Sequence, residues 1–320
     1  RPDPMTLADV RAAADRITRT AWRTPLVPSP WLSDLTGASV WLKLETVQAT
    51  GSFKIRGATN ALTLLKAARP DVVMVTTASS GNHGQGVALA ASALGMRVRV
   101  HFPAAAADTK KRAMARLGAE IVEAPDYDAA EARAQEEAGR NGVVYLPPYN
   151  DADVIAGAGT VALEMLDERP EIDTLIAPIG GGGLLSGTAI VARARVPNGL
   201  VIGTEAAASP AFTAALAAGR PVTIDVHDTL ADGLAGNMDQ DTRTFAIVRD
   251  LVDRVIRIEE PAIAQAMRNL ILKERLVAEG ASATAIAAVS GGTLELRGRN
   301  VGVILSGRNV DAHVIAHVLS

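Results

Sequence analysis

The chain of 320 residues contains no cysteine. That excludes disulfides, thiolate metal sites and a cysteine nucleophile, and it fits a reducing compartment. Aromatic residues make up only 3% of the sequence and no basic stripe runs along it, so a nucleic-acid surface is not expected. No apolar run is long enough to span a bilayer. The opening segment RPDPMTLADV lacks the apolar core of a signal peptide. A cytoplasmic protein with neither a membrane nor a nucleic-acid partner is the expectation. For the residues ahead of Met5, poor order and a vector origin are both open. Several catalytic signatures are also missing. There is no G-x-x-x-x-G-K-S/T nucleotide loop, no H-E-x-x-H zinc helix and no G-x-S-x-G nucleophile elbow. The five histidines show no ligand spacing.

What remains is an alanine-rich chain, 48% hydrophobic with a net charge of -3, which is ample for a core of small helices packed on a sheet. Thr6 starts a helix to about residue 19, and Thr24-Pro25-Leu26-Val27-Pro28 breaks it. Residues 40–45 read as a strand. From about 72 to 147, strands at 72–77, 97–102, 120–123 and 143–146 alternate with helices that begin near Gly84, Asp108 and Tyr127. A second run places strands at 174–179, 200–204, 254–258 and 301–305, with helices at 260–276 and 281–290 between them. Such alternation implies an α/β fold of open, mainly parallel twisted sheets with flanking helices. Pro147-Pro148 is the best boundary signal. Residues 1–66 and 151–320 are read as one discontinuous unit, with 67–150 inserted as a smaller one.

Three loops carry chemistry. In Gly51-Ser52-Phe53-Lys54-Ile55-Arg56-Gly57, a lysine sits near a helix start, where free backbone N–H groups favour its neutral form. A neutral amine can attack an aldehyde cofactor and form a Schiff base. The alternative is a surface lysine on a helix. In Gly180-Gly181-Gly182-Gly183, four glycines lie between a buried strand and a helix. Four in a row cost too much backbone entropy for a routine turn, and their N–H groups suit a phosphate. Ser79-Ser80-Gly81-Asn82-His83-Gly84-Gln85-Gly86 also follows a strand. It offers hydroxyls and amides to a polar ligand such as a carboxylate, or else caps a helix. Ser306, a hydroxyl partner for a heterocyclic nitrogen or a simple strand-end turn, follows a fourth strand. In open parallel sheets ligands sit beyond the carboxyl ends of strands, so these loops suggest one cleft between two units.

Gly157-Ala158-Gly159-Thr160-Val161-Ala162 formally matches the dinucleotide pattern G-x-G-x-x-A. A helix-start signal, Asn150-Asp151-Ala152-Asp153, precedes it where a strand is needed. It is read as small residues in a packed helix. His83 is read first as a loop histidine, and Glu205 as a lone acid.

The loops together resemble the fold-type II pyridoxal-phosphate enzymes, which share the tryptophan synthase β-like fold, in the serine/threonine dehydratase and serine racemase branch. GSFKIRG resembles the Schiff-base motif, SSGNHGQG the substrate loop, GGGGLLSG the phosphate loop and SGRNVD the segment that meets the pyridine nitrogen. They stand in family order across residues 51 to 311, and ADGLAG (231–236) and ERLVAEGASA (274–283) resemble further cofactor-lining segments. Within the branch the chain is most similar to dehydratases of hydroxyectoine utilisation.

The resemblance implies pyridoxal 5'-phosphate held by Phe53, Lys54, Asn82, Gly180, Gly181, Gly182, Gly183, Leu184 and Ser306. Lys54 would carry the cofactor and serve as base at the substrate's Cα. Phe53 would lie beside the ring, Asn82 would meet its 3-oxygen and Ser306 its nitrogen. Ser79, Ser80, Gly81, Asn82 and His83 would hold the carboxylate of a small amino-acid substrate. A serine partner leaves the pyridine nitrogen largely neutral and the electron sink weak, which suits expulsion of a β-substituent. The implied activity is dehydration and deamination of serine, threonine, 3-hydroxyaspartate or a hydroxyectoine-derived amino acid. Ser80 matches the serine that faces the lysine in racemases of the branch, so racemisation by Lys54 and Ser80 is the alternative. Some relatives bind a divalent cation through a glutamate and two later positions. Glu205 and Ser209 match these, but Ala211 replaces the final carboxylate, and metal is not expected. A homodimer follows from the resemblance. The chain ends soon after SGRNVD, so feedback through an appended regulatory domain is not expected.

Overall fold

The computed structural model describes residues 5–104, 106–140 and 142–320. The question about residues ahead of Met5 falls outside them. Among the described residues ten strands form two sheets. They are β1 Leu26–Pro28, β2 Ser39–Leu44, β3 Met74–Ala78, β4 Arg97–Pro103, β5 Glu120–Ala124, β6 Val143–Tyr145, β7 Thr174–Pro178, β8 Leu200–Ala206, β9 Arg254–Ile258 and β10 Asn300–Leu305. Six strands run in the order β1-β2-β10-β7-β8-β9, and four in the order β5-β4-β3-β6. Every pairing is parallel except β1 with β2, where Leu26 faces Lys43.

The thirteen described helices are α1 Leu7–Ile17, α2 Pro30–Thr36, α3 Lys54–Ala68, α4 Asn82–Ala93, α5 Asp108–Arg116, α6 Tyr127–Glu137, α7 Ala152–Glu168, α8 Gly183–Arg195, α9 Ala211–Ala218, α10 Arg243–Leu251, α11 Glu260–Asn269, α12 Gly280–Ser290 and α13 Ala312–Leu319. Capping residues mark several starts. Ser29 accepts from Leu32 N with Pro30 in the first turn, and Asp151 accepts from the amides of Asp153 and Val154.

The apolar runs of the central strands reflect burial on both faces. Leu175, Ala177 and Val201 enter a core shared with α7, α8 and α10. Their neighbours Ile176 and Ile202 enter the opposite core, with α11, α12 and α2. This is the period-two alternation of a strand, apolar on both sides. The smaller sheet packs Val75, Val98 and Val100 against α3 and α4. Ala78 and Ala124 face α6 across the sheet's other side. Residues of α3, notably Ile55, Ala58 and Leu62, thus share a core with the smaller sheet, joined by Ile17 and Val154.

Two features differ from the sequence reading. Leu26–Pro28 forms the short antiparallel strand β1 rather than a plain break. An edge strand tolerates prolines because no partner needs their missing N–H. The helix expected over 260–276 is α-helical only to Asn269. It widens into a π-turn at Leu270–Glu274 and stops at Arg275, the one positive-φ non-glycine residue among those described, φ 59°. The G-x-G-x-x-A string lies inside α7. A β-carbon on Gly157 would stand 2.6 Å from Arg56 O, and one on Gly187 of α8 would stand 2.5 Å from Gly159 N. These glycines let α7 lie flush against α3 and α8, which is a packing role.

Candidate active site

Lys54 opens α3, and the loop before it is tied to the end of β10. Phe53 N donates to Ser306 O at 3.0 Å, Arg308 N donates to Gly51 O at 2.9 Å, and Ser52 bridges to Gly307. The Lys54 and Ser306 loops, 252 positions apart, are therefore stitched together by backbone. The Lys54 ammonium donates to Pro148 O at 2.8 Å, and its nitrogen lies 5.4 Å from the centroid of the Phe53 ring. Burial lowers its pKa to about 8, partly opposed by the charge of Glu279. The sequence reading credited the helix start. Burial is the larger cause.

The glycine run crosses from β7 into α8. Gly182 has φ 89°, the left-handed region that disfavours a side chain. The run is walled closely. A β-carbon on Gly181 would fall 2.1 Å from the Tyr149 ring, and one on Gly182 would fall 2.7 Å from Phe212 Cζ and 2.8 Å from Thr244 Cβ. Thr244 Oγ1 donates to Gly181 O at 2.8 Å and fixes the turn from behind. Among the described residues, the first amide here to reach a protein acceptor is that of Ser186, which donates to Gly182 O at 2.8 Å. The N–H groups ahead of it are free for an anion. Gly182→Ala combines strain with a clash. It should weaken cofactor binding at least tenfold, since about 1–2 kcal/mol of left-handed strain alone approaches that factor. Equilibrium titration of the apoprotein reads it, and an unchanged dissociation constant would remove the cradle from the account.

Pro148-Tyr149 links this cradle to the lysine, because Pro148 O meets Lys54 while Tyr149 covers Gly181. Tyr149 is in turn held by Asp239 N, which donates to its hydroxyl at 3.0 Å. The sequence marked Pro148 only as part of a boundary signal and did not mark Tyr149.

The SSGN loop follows β3. Ser79 Oγ accepts from the amides of Gly81 at 3.0 Å and Gly84 at 2.8 Å, so this hydroxyl shapes the loop. Ser80 is half-buried. Lys110 of α5 lies along the loop, with its Cδ 3.1 Å from where a Gly81 side chain would begin, and its ammonium reaches Asp232 Oδ2 at 2.5 Å. His83 is buried. Burial first, and the nearby Lys54 charge second, push its pKa down to about 3. A neutral ring donating from Nε2 to Leu146 O at 3.2 Å satisfies one nitrogen, and Nδ1 has no protein partner among the described residues.

Asn82 starts α4, and its Nδ2 donates to Glu279 Oε1 at 2.8 Å and Oε2 at 3.0 Å. Burial raises the Glu279 pKa to about 7, with the Asn82 amide acting against it and the Asp232 charge with it. Asn309 Nδ2 donates to Asn82 Oδ1 at 2.7 Å. Ser306 Oγ is buried 3.0 Å from Ser282 Oγ, which also donates to Gly307 O at 2.8 Å. Glu279, Ser282 and Asn309 were each inside a quoted string, but no local pattern marked them as site residues.

One more group was missed. Arg56, two residues past Lys54, is fully buried. Its guanidinium pairs with both oxygens of Glu45, at 2.8 Å each, and with Glu164 at 2.7 and 3.0 Å. Lys43 completes the cluster through Glu164 Oε2 at 2.6 Å. Burial is the largest single influence on Glu45 and would raise its pKa, but the Arg56 charge, the hydrogen bonds from Arg56 and Thr24 and the Lys43 charge together outweigh it, and the carboxyl is lowered. Two cations and two anions thus anchor the start of α3 to β2 and α7.

Glu205 does different work. Its carboxylate accepts from the amides of Phe212 at 3.0 Å and Thr213 at 2.9 Å, and from the Thr213 hydroxyl. It caps α9, whose first residue is Ala211. Ser209 Oγ accepts from Gly236 N at 3.1 Å. No group of three or more His, Cys, Asp or Glu among the described residues is arranged to hold a metal ion.

A buried amine, a glycine turn with unspent amides and a hydroxyl at a neighbouring strand end make a site for an aldehyde bearing a phosphate. Comparison with known proteins agrees. The family model for pyridoxal-phosphate dependent enzymes matches residues 17–307. The L-threonine ammonia-lyase of Thermotoga maritima is 37% identical over 99% of this chain and 78% of its own length. The catabolic L-threonine dehydratase of Escherichia coli is 34% identical over 98% of this chain and 96% of its own length. Among solved structures, maize serine racemase superposes with a TM-score of 0.92 at 33% identity, covering 98% of this chain and 96% of that one. A pyridoxal 5'-phosphate-dependent aspartate racemase gives 0.91 at 31% identity, covering 98% of each chain. The chain belongs to the family of pyridoxal-phosphate dependent enzymes, in the serine/threonine dehydratase (ammonia-lyase) branch of fold type II. Its cofactor is pyridoxal 5'-phosphate.

Proposed function

We propose that this enzyme eliminates the hydroxyl from a small β-hydroxy amino acid such as serine, threonine, 3-hydroxyaspartate or a hydroxyectoine-derived amino acid. Loss of water leaves an enamine, which tautomerises and takes up water to give a 2-oxo acid and ammonia. The observation that carries this reading is the buried Lys54 amine, with a pKa of about 8, next to the Ser306 loop. When bound, the cofactor supplies an electron sink for charge at Cα.

The chain's own residues do the rest. Lys54 holds the cofactor and, as a free amine, takes the Cα proton; a pKa near the working pH suits that task. The amides of Gly180, Gly181, Gly182, Gly183 and Leu184 receive the phosphate. Phe53 lies beside the ring, Asn82 donates to its 3-oxygen and Ser306 meets its nitrogen. The Ser79 to His83 loop holds the substrate carboxylate, with Ser79 fixing the shape of that loop. Residues 1–66 and 151–320 are the cofactor-binding unit and 67–150 the substrate-loop unit, a division supported by which strands enter which sheet. A cytoplasmic homodimer belongs to the same reading, supported by the family resemblance.

A panel of serine, threonine and 3-hydroxyaspartate stereoisomers plus hydroxyectoine-derived amino acids, read by 2-oxo acid release, tests it. At least one should turn over, and none doing so would refute the elimination. A second reading is favoured by Ser80 and by the two racemase structures. If Lys54 and Ser80 act on opposite faces, deuterium from solvent should appear at Cα of inverted substrate, and Ser80→Ala should abolish it. Full racemisation by Ser80→Ala would remove the two-base version.

A further inference from the structure

The hydrogen bonds around Asn82 admit only one sense of its amide. Asn309 Nδ2 donates to the backbone carbonyl of Thr50 at 2.8 Å. A carbonyl only accepts, so this end of Asn309 must be its NH2 group. The same NH2 reaches Asn82 at 2.7 Å, so the Asn82 atom there must be its oxygen. The NH2 of Asn82 is thereby turned to the opposite side, where Glu279 receives it on both oxygens, at 2.8 and 3.0 Å. One N–H pointed between two carboxylate oxygens serves both and leaves the second N–H unspent. The brace is also tied to the rest of the site. Glu279 N donates to Gly307 O at 3.1 Å, and a β-carbon on Gly51 would stand 2.7 Å from Asn309 Oδ1. Asn82 and Asn309 are partly buried and Glu279 is buried, so a turned amide would leave a donor facing a donor with little water to relieve it.

We propose that Asn309 and Glu279 are positioning residues that lock the Asn82 amide with its NH2 toward the cofactor's ring oxygen. This rests on the reading that Asn82 meets that oxygen. The Asn309–Asn82–Glu279 chain joins the Ser306 segment, the substrate loop and the segment before α12. It therefore sets the position of one cofactor contact from two loops that carry others.

Asn309→Asp tests it. A carboxylate cannot donate to Thr50 O or to Asn82 Oδ1, and it attracts the Asn82 NH2 away from the ring. The reconstituted variant should show a displaced violet absorption band of bound cofactor and a shifted pH midpoint for that band. Its cofactor dissociation constant should rise about tenfold, the scale of one lost charge-assisted hydrogen bond. Turnover should fall with it. Asn309→Ala removes the donor without attracting the NH2, so its shifts should be smaller. A merely structural role would instead order the two by lost packing, with Ala the worse. An Asn309→Asp holoenzyme with wild-type band, midpoint and affinity would overturn the proposal. Should that variant fail to fold, Asn309→Ala decides by the same readings, with wild-type values overturning it. A wild-type protein that takes up no cofactor would instead refute the assignment of the site itself.

Discussion

Lys54→Ala is expected to lose the violet-region absorbance of the bound cofactor and to stop releasing 2-oxo acid. Deleting a nucleophile that works as part of a unit costs about three or more orders of magnitude in turnover. In the proposed reaction one amine both attaches the cofactor and moves the Cα proton, so neither role would survive its loss. Folding should not suffer. The amine is buried, and its lowered pKa means that the ammonium is held against a desolvation penalty. Removing it relieves that penalty, at the cost of the hydrogen bond to Pro148 O and the approach to the Phe53 ring. In the wild-type apoprotein, the rate of cofactor attachment should climb with pH through about 8, the value to which burial brings the amine, rather than near an ordinary lysine's value. An active, coloured Lys54→Ala protein would overturn the assignment.

Arg56→Ala should be among the most destabilising single changes available in this chain. Glu45 is fully buried and Glu164 nearly so, and the guanidinium supplies four of the hydrogen bonds that hold them. Breaking a buried pair by removing one partner typically costs about 3–5 kcal/mol, because the remaining charge has neither water nor a counter-ion. Lys43 would be left to balance two carboxylates. Arg56→Lys should recover little, since a single ammonium cannot reproduce the two bidentate contacts. The variant should unfold at markedly lower denaturant with an unchanged slope. Activity should fall with it, because Arg56 sits one half-turn beyond Lys54 and pins the start of α3. A midpoint equal to wild type would mean that the cluster merely breaks even.

Much of this architecture was legible because its strands are buried on both faces. Runs such as Thr174–Pro178 and Asn300–Leu305 are nearly all apolar, and short loops with glycine or serine follow them. Three such motifs, the SSGN loop, the glycine run and Ser306, could be placed at one edge of parallel sheets from the sequence alone. β1 was not legible, since three residues, the last of them a proline, carry no alternation to count. The π-turn at Leu270–Glu274 was also hidden, because its apolar spacing imitates a continuing helix. Within the site, local strings marked the residues proposed to meet a ligand but not those that hold them. Arg56 finds its carboxylates 11 and 108 residues away. Asn82 finds Glu279 at a separation of 197 and Asn309 at 227. Such pairings are products of topology, and no periodicity or motif spacing encodes them. Lys54 lay between these cases. Its loop was recognisable, but the burial that lowers its pKa is a product of tertiary packing, in which Pro148, 94 residues away, comes to meet the amine.

Reductive trapping of the holoenzyme, followed by peptide mapping, tests the central claim most directly. The account predicts one reduced pyridoxyl group per chain, carried by the peptide that contains Lys54 and missing when phosphate-free pyridoxal at the same concentration replaces the cofactor. Stoichiometric label on another lysine, or equal labelling by the phosphate-free aldehyde, would contradict it.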